Sequence, residues 1–348
     1  MNSITGRVLY VTSNSKVLLY KYLSFYLVDI KSHKTEFVAR LPAGKKYFYL
    51  CRLRLVNRLM RMEPRCTGRL DENRFVVCVM GRVWLLDIRK KSVSILLALS
   101  PGLSLLNFCE KDGCLYWGDY GANTNYKEIN VYRLGQDLNL KVVYSFPAGS
   151  IRHIHNIIND GEGFVILAGD NEPKAGIYRA NKDWTIVTPW IIGDQRCRAV
   201  VGFFYKGGFL YATDSVETEN HLRLIEADGT ERVLISINGS CIYGVETKDF
   251  YLFSTTVEPH EGGDGIMKFF SNQLGGGIKS KDVQVLAVSK RDLSISIIKQ
   301  YRKDCLPMKI FQYGRVSFAG GQTGANDGFW CYPIACVGTK GCSEFLRF

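Results

Sequence analysis

The stretch "GFVILAGDNEPKAGIYRANKD" (residues 163–183) reads as an apolar strand, a polar loop opening on Gly-Asp, and a second strand with an arginine near its end. Three relatives lie in the same chain: "GCLYWGDYGANTNYKEINVYRLGQD" (113–137), "GFLYATDSVETENHLRLIEADG" (208–229) and "DFYLFSTTVEPHEGGDGIMKFFS" (249–271). Anchored on Asp119, Asp170, Asp214 and Thr256, the copies follow one another at offsets of 51, 44 and 42 residues. The matched "NEP" (171–173) and "VEP" (257–259) keep the second and fourth copies in register. Alternating runs flank each unit, as "RHIHNIIND" precedes the second copy and "WTIVTPWII" follows it. Four strands per unit, repeated every 40 to 50 residues or so, are the pattern of a β-propeller.

Weaker units run over 6–43, 63–99 and 308–348. The expected fold is therefore all-β, a propeller of four-stranded antiparallel blades, with seven blades preferred and six as the fallback. A single domain over 1–348 is expected, with the N-terminal strand pairing the C-terminal one to complete a blade. That closure would remove exposed sheet edges. "SNQLGGGIKSKDVQ" (271–284) reads as an exposed glycine-rich loop.

Composition suits this reading. Hydrophobic residues make up 46% and charged residues 22%, with Gly 34, Tyr 19 and Phe 19, a mix for many short strands and tight turns. No run approaches the roughly 20 apolar residues of a membrane helix, so no membrane partner is expected. The N-terminal residues lack a secretory pattern. The eleven cysteines form no Cys-x-x-Cys pair, which excludes the usual zinc and thioredoxin motifs. Free thiols then point to a reducing compartment, the cytoplasm. The net charge of +12 favours polyanions: nucleic acid, anionic lipid or acidic polysaccharide. Dispersed charges and the absence of a nucleic-acid motif put nucleic acid last among these.

Two of the five histidines, His153 and His155, stand two positions apart at the start of a first strand. In a strand, i and i+2 share a face about 7 Å apart. Propeller connectivity puts the entry to a first strand and the loop after a second strand at one end of the channel. His153, His155 and Asp170 therefore belong together. Arg196, Arg198 and Asp214 follow from the next blade, Tyr243 and Glu258 from the one after, and Tyr120 from the one before. The histidines are candidates for proton exchange, with Asp170 as orienter. Arg196 and Arg198 are candidates to clamp a carboxylate. Each has a plainer reading: a strand-end Asp closes an Asx-turn, Glu-Pro makes a turn, and surface arginines pair with nearby acids. The pattern assigns no metal or other cofactor. A divalent ion at His153 and His155 would need a third ligand, for which Asp170 is the nearby donor.

The segment Arg152–His155, Gly169–Asn171 and Gly176–Arg179, "R-H-I-H … G-D-N … G-I-Y-R", resembles sialidase-like, BNR-repeat propellers. More closely, it is similar to bacterial proteins labelled glycosyl hydrolases, over about residues 100–330. The resemblance implies that a glycan, often an acidic one, is bound or cleaved at the channel mouth. It also implies chemistry by histidine, tyrosine and arginine, as in propeller polysaccharide lyases. The S-x-D-x-G-x-x-W box of true sialidases is decayed here to "RANKDWTIV" (179–187), and the three arginines and Tyr-Glu pair of a sialidase are not identifiable, so sialidase activity itself is not implied. The expected function is a glycoside hydrolase or polysaccharide lyase acting on an acidic oligosaccharide. In a hydrolase, Glu258 with Asp170 or Asp214 is the carboxylate pair. The alternative is a non-catalytic propeller that binds a glycan or protein on the same face.

Overall fold

The computed structural model describes residues 2–13, 15–170, 172–262 and 265–348. Asn171, part of the motif above, lies outside them. The chain forms a seven-bladed β-propeller of four-stranded antiparallel sheets. It divides into two compact units, Glu63–Val200 on one hand and Met1–Met62 with Val201–Phe348 on the other.

The first unit holds three blades. Blade 2 is Cys66–Arg69, Arg74–Val79, Arg82–Asp87 and Ser92–Ala98. Blade 3 is Cys109–Lys111, Cys114–Gly118, Ile129–Leu134 and Leu140–Phe146, and blade 4 is Ile154–Asn159, Phe164–Ala168, Ala175–Ala180 and Val187–Gly193. Second strands are buried along their whole length, as in "CLYWG" and "FVILA", because a sheet lies against each face. Outermost strands such as Ser92–Ala98 are largely exposed. Alternation sorts the side chains of Cys114–Gly118 between two cores. Cys114 and Tyr116 join Phe164, Ile166 and Trp184 of blade 4, whereas Leu115 and Trp117 join Val76 and Val83 of blade 2. Each such buried apolar side chain stabilises the fold by about 1.5–3 kcal/mol.

The second unit holds blades 6, 7 and 1 and, from Val201 onward, blade 5. Blade 5 starts at Ala199–Tyr205 and continues through Gly208–Thr213, Asn220–Ile225 and Glu231–Ile237. Blade 6 is Cys241–Glu246, Phe250–Thr255, Asp282–Ser289 and Ile295–Arg302. Blade 7 combines Arg315–Phe318, Gly328–Ile334 and Cys342–Arg347 with Ser3–Thr5, which pairs antiparallel with Cys342–Arg347. Blade 1 is Arg7–Ser13, Lys16–Lys21, Ser24–Asp29 and Thr35–Arg40. The same alternation recurs: Phe329 and Cys331 face Leu252 and Val283 of blade 6, while Trp330 faces Val8 and Val17 of blade 1.

The glycine run of 275–277 lies in a loop, as expected, but Gly275 and Gly277 are buried rather than exposed. Gly277 N donates to Val216 O (2.8 Å), and a Cβ on Gly277 would lie 2.0 Å from Thr218 O. Backbone packs on backbone, which only glycine permits, and Ile278 is drawn into the core behind it. All eleven cysteines are free, nine of them buried. No helix of the described residues is long and apolar enough to cross a membrane.

Candidate functional site

The connection into blade 4 carries the histidines. Gly118, at the end of blade 3's second strand, lets Ile154 approach so closely that a Cβ there would lie 2.5 Å from it. Ile154 N donates to Asp119 O (2.9 Å), and Gly169 N to His153 O (3.0 Å), which pins the entry to the strand. The register then slips: Ile154 pairs with Ala168, but Asn156 pairs with Leu167. His155 is thus the extra residue of a β-bulge, and bulges re-aim side chains. The imidazoles do not stand a strand's i, i+2 spacing apart. Their Nε2 atoms meet at 3.0 Å.

Both Nδ1 atoms are committed. His153 Nδ1–H donates to Gly121 O (2.6 Å) in blade 3, and His155 Nδ1–H donates to Ala199 O (2.8 Å) at the start of blade 5. A carbonyl oxygen only accepts, so this tautomer follows from the partners. The Nε2 atoms remain for chemistry, and both point at Asp170. His155 Nε2 lies 2.8 Å from Oδ1 and His153 Nε2 lies 3.0 Å from Oδ2. Gly169, at φ +78°, turns the chain so that Asp170 arrives there, and Gln195 Nε2 holds the Asp170 carbonyl (2.9 Å).

Two arginines complete the surround. Arg198 Nε is 3.4 Å from Asp170 Oδ1, and Arg152 Nη1 is 3.4 Å from Oδ2. Each carboxylate oxygen therefore faces one imidazole and one guanidinium. Burial by itself would raise the Asp170 carboxyl. The imidazoles of His153 and His155 and the Arg198 guanidinium beside it instead hold it well below the usual carboxylate range. The two imidazoles are buried, whereas Asp170 keeps 15% of its side chain open. Tyr120 lays its ring on His153 at 4.5 Å, and Arg65 sits over Tyr120 at 5.9 Å.

His153 Nε2, His155 Nε2 and an Asp170 oxygen form a group able to hold a metal ion. Neighbouring ligands of an octahedral ion with bonds of about 2.1 Å are about 3.0 Å apart, which matches the observed 2.8–3.0 Å. Two imidazoles and one carboxylate on one face leave the other coordination positions open.

The structure separates Arg196 from Arg198. The segment Gln195–Cys197 is a 3-10 turn capped by Asp194, not a strand, so i and i+2 do not share a face. Arg196 turns outward to Asp194 (3.2 Å) with half its side chain exposed. Asp119 accepts from Asn130 N (3.1 Å) and Tyr132 O–H (3.4 Å), which is turn closure. Asp214, Tyr243 and Glu258 belong to the other unit. There Asp214 is buried, Glu258 Oε1 accepts from Thr256 (2.5 Å) and from Ser240, and Tyr243 lies beside the Arg315 guanidinium at 5.9 Å. Arg152 and Arg65 were not among the candidates. Arg152 adjoins His153 in sequence and was open to notice; Arg65, in the connection before blade 2, carried no signal.

No family model matches the chain, and no curated protein matches it. Solved structures do match. An oligogalacturonate lyase in complex with manganese is 9% identical, with a TM-score of 0.55, covering 99% of this chain and 90% of its own. Oligogalacturonate lyase from Vibrio parahaemolyticus is 8% identical, with a TM-score of 0.54 and coverage of 98% and 91%. A chain of the mitotic checkpoint complex scores 0.56 at 8% identity, with coverage of 99% and 89%. The likeness is one of fold.

Proposed function

We propose that the chain binds an acidic oligosaccharide at the Asp170 centre and cleaves it by β-elimination, assisted by a divalent cation. The observation that carries this reading is the charge balance. One carboxylate faces two imidazoles and two guanidiniums, so the centre has positive charge in excess and suits an anionic ligand. Oligogalacturonate lyases share the fold, and one of them is a manganese complex, which supports both the acidic glycan and the cation.

In this reading His153, His155 and Asp170 hold the ion, which when bound supplies positive charge to a uronate carboxylate. Arg152 and Arg198 pair with the same carboxylate and draw electron density from the adjacent carbon, which acidifies its proton. Tyr120, outside the donor triangle and against His153, acts as a phenolate and accepts that proton. The C–H electrons form the new C=C bond, the glycosidic C–O bond breaks, and the departing oxygen takes the proton from the Tyr120 O–H, which restores the phenolate. Hydrolysis would need a second carboxylate across the bond, and Asp119, from the neighbouring blade, is turned toward Asn130 and Tyr132. Elimination is therefore preferred to glycoside hydrolysis. The sialidase-type resemblance enters only as a shared propeller with an acidic glycan.

A second reading has its own observation. His153 and His155 also hold the backbone at Gly121 and Ala199 of the same unit, as a structural clasp in a binding scaffold would. One experiment separates the two. The purified chain is titrated with Mn²⁺ and Zn²⁺ by calorimetry and then incubated with oligogalacturonates, following the ultraviolet absorbance of the unsaturated product. Stoichiometric metal binding with product formation is expected. Neither metal uptake nor product, in a chain that melts cooperatively, would favour the scaffold.

A further inference from the structure

Four short helices lie together in the unit of residues 1–62 and 201–348 and turn apolar side chains outward. Lys45–Leu50 and Arg54–Leu59 fill the connection from blade 1 to blade 2, Ile266–Phe269 lies inside blade 6 between its second and third strands, and Met308–Phe311 links blade 6 to blade 7. Met308–Phe311 touches both Arg54–Leu59 and Ile266–Phe269. Hydrogen bonds fix the group: Arg58 Nε donates to Phe311 O (2.8 Å), Gln312 Nε2 to Arg58 O (2.8 Å), and Asn272 Nδ2 to Cys305 O (3.0 Å). The helices form one continuous surface.

That surface is apolar at its tips. Ile266 is 73% exposed, Met267 72% and Tyr49 65%, with Leu53, Leu55 and Phe270 each more than half exposed. Soluble surfaces rarely cluster such side chains without a partner. Within the two segments that carry them the charges are of one sign. Residues 45–62 hold six lysines and arginines and no acid, and residues 265–275 hold Lys268 and no acid. Arg58 is spent on Asp304, but Lys45, Lys46, Arg52, Arg54 and Arg61 are exposed.

We infer that this face docks on an anionic phospholipid surface. Apolar tips among basic residues are what a peripheral membrane site requires: the tips enter the acyl boundary while lysines and arginines reach the headgroups. A second copy is a poor fit, because a two-fold contact would set the same basic residues against each other. Nucleic acid is a poorer fit: Tyr49 and Phe270 could stack on bases, but the most exposed tips, Ile266 and Met267, are aliphatic.

The test is co-flotation of the full chain with vesicles of phosphatidylcholine alone and of equal parts phosphatidylcholine and phosphatidylserine. Binding to the mixed vesicles is expected, with loss in high salt. The I266S/M267S and K45E/K46E variants should each bind about tenfold more weakly or worse, with unchanged circular dichroism and melting. Equal binding to both vesicle types, or binding to neither, overturns the proposal. So does a wild-type dimer in light scattering that I266S/M267S dissociates, because the patch would then be a contact between copies.

Discussion

The Nε2 atoms of His153 and His155 stand 3.0 Å apart after each imidazole has given its Nδ1–H to a backbone carbonyl. Two lone pairs facing each other and a carboxylate are repulsive unless a proton or a metal ion lies among them. The bulge at His155 is what brings the two nitrogens together.

Loss of one imidazole should remove a ligand while leaving the backbone in place. His155→Gln and His153→Gln are expected to weaken Mn²⁺ binding by more than about 100-fold, beyond what outer-shell changes cost. Calorimetry measures this directly. Wild-type affinity in either variant would show that the imidazoles do not bind the ion.

The two arginines of the 194–198 turn should differ sharply. Arg198→Gln is expected to raise KM for an acidic oligosaccharide at least about tenfold, because it removes a charge from beside Asp170. Arg196→Gln removes an exposed pair with Asp194 and should change stability by no more than about 0.5 kcal/mol, with KM unchanged. Equal effects in steady-state kinetics would reject this division.

How much of this was legible in the sequence depends on the range of the forces involved. The blades showed through because their second strands are buried on both faces, so "CLYWG", "FVILA" and "GFLYAT" repeat as apolar runs. Asp119, Asp170, Asp214 and Thr256 each follow such a strand by one or two residues, which is why they served as anchors. His153, His155 and Asp170 were readable as neighbours from the connectivity alone. The bulge at His155 was not, since it depends on hydrogen bonds to Asp119 and Gly169 across two strands. The 3-10 turn at Gln195–Cys197 was hidden for a similar reason: an Asp194 cap imposes it locally on residues that alternate like a strand. The glycine run misled because composition alone does not reveal a backbone partner such as Val216.

Gly118 offers a test of how tightly the centre is held from behind. A methyl group there would meet Ile154 at 2.5 Å, forcing the strand that carries His155 to shift. Gly118→Ala should destabilise the fold by about 1–3 kcal/mol and weaken metal binding with no ligand changed. Denaturant unfolding with parallel calorimetry reads both effects. A stable variant with wild-type affinity would mean that the approach of the two strands is not needed.

Asp304 makes a prediction in pH. Its carboxylate lies 2.5 Å from Arg58 Nη1 and 2.5 Å from Lys303 Nζ, with Arg58 and Lys303 both buried. Burial would raise its pKa, but hydrogen bonds from Arg58 and Lys303 lower it below the ordinary 3.8. A carboxyl whose folded pKa is depressed contributes stability fully present above its unfolded value and lost as pH falls through the folded one. Asp304→Asn leaves two buried cations facing each other, so at pH 7 it should cost about 3 kcal/mol or more. Below about pH 4 the wild type loses this contribution while the variant has none to lose. The gap between their urea midpoints should therefore narrow as acid is added. A gap that stays constant from neutral pH to pH 3 or so would show that Asp304 is not the titrating group.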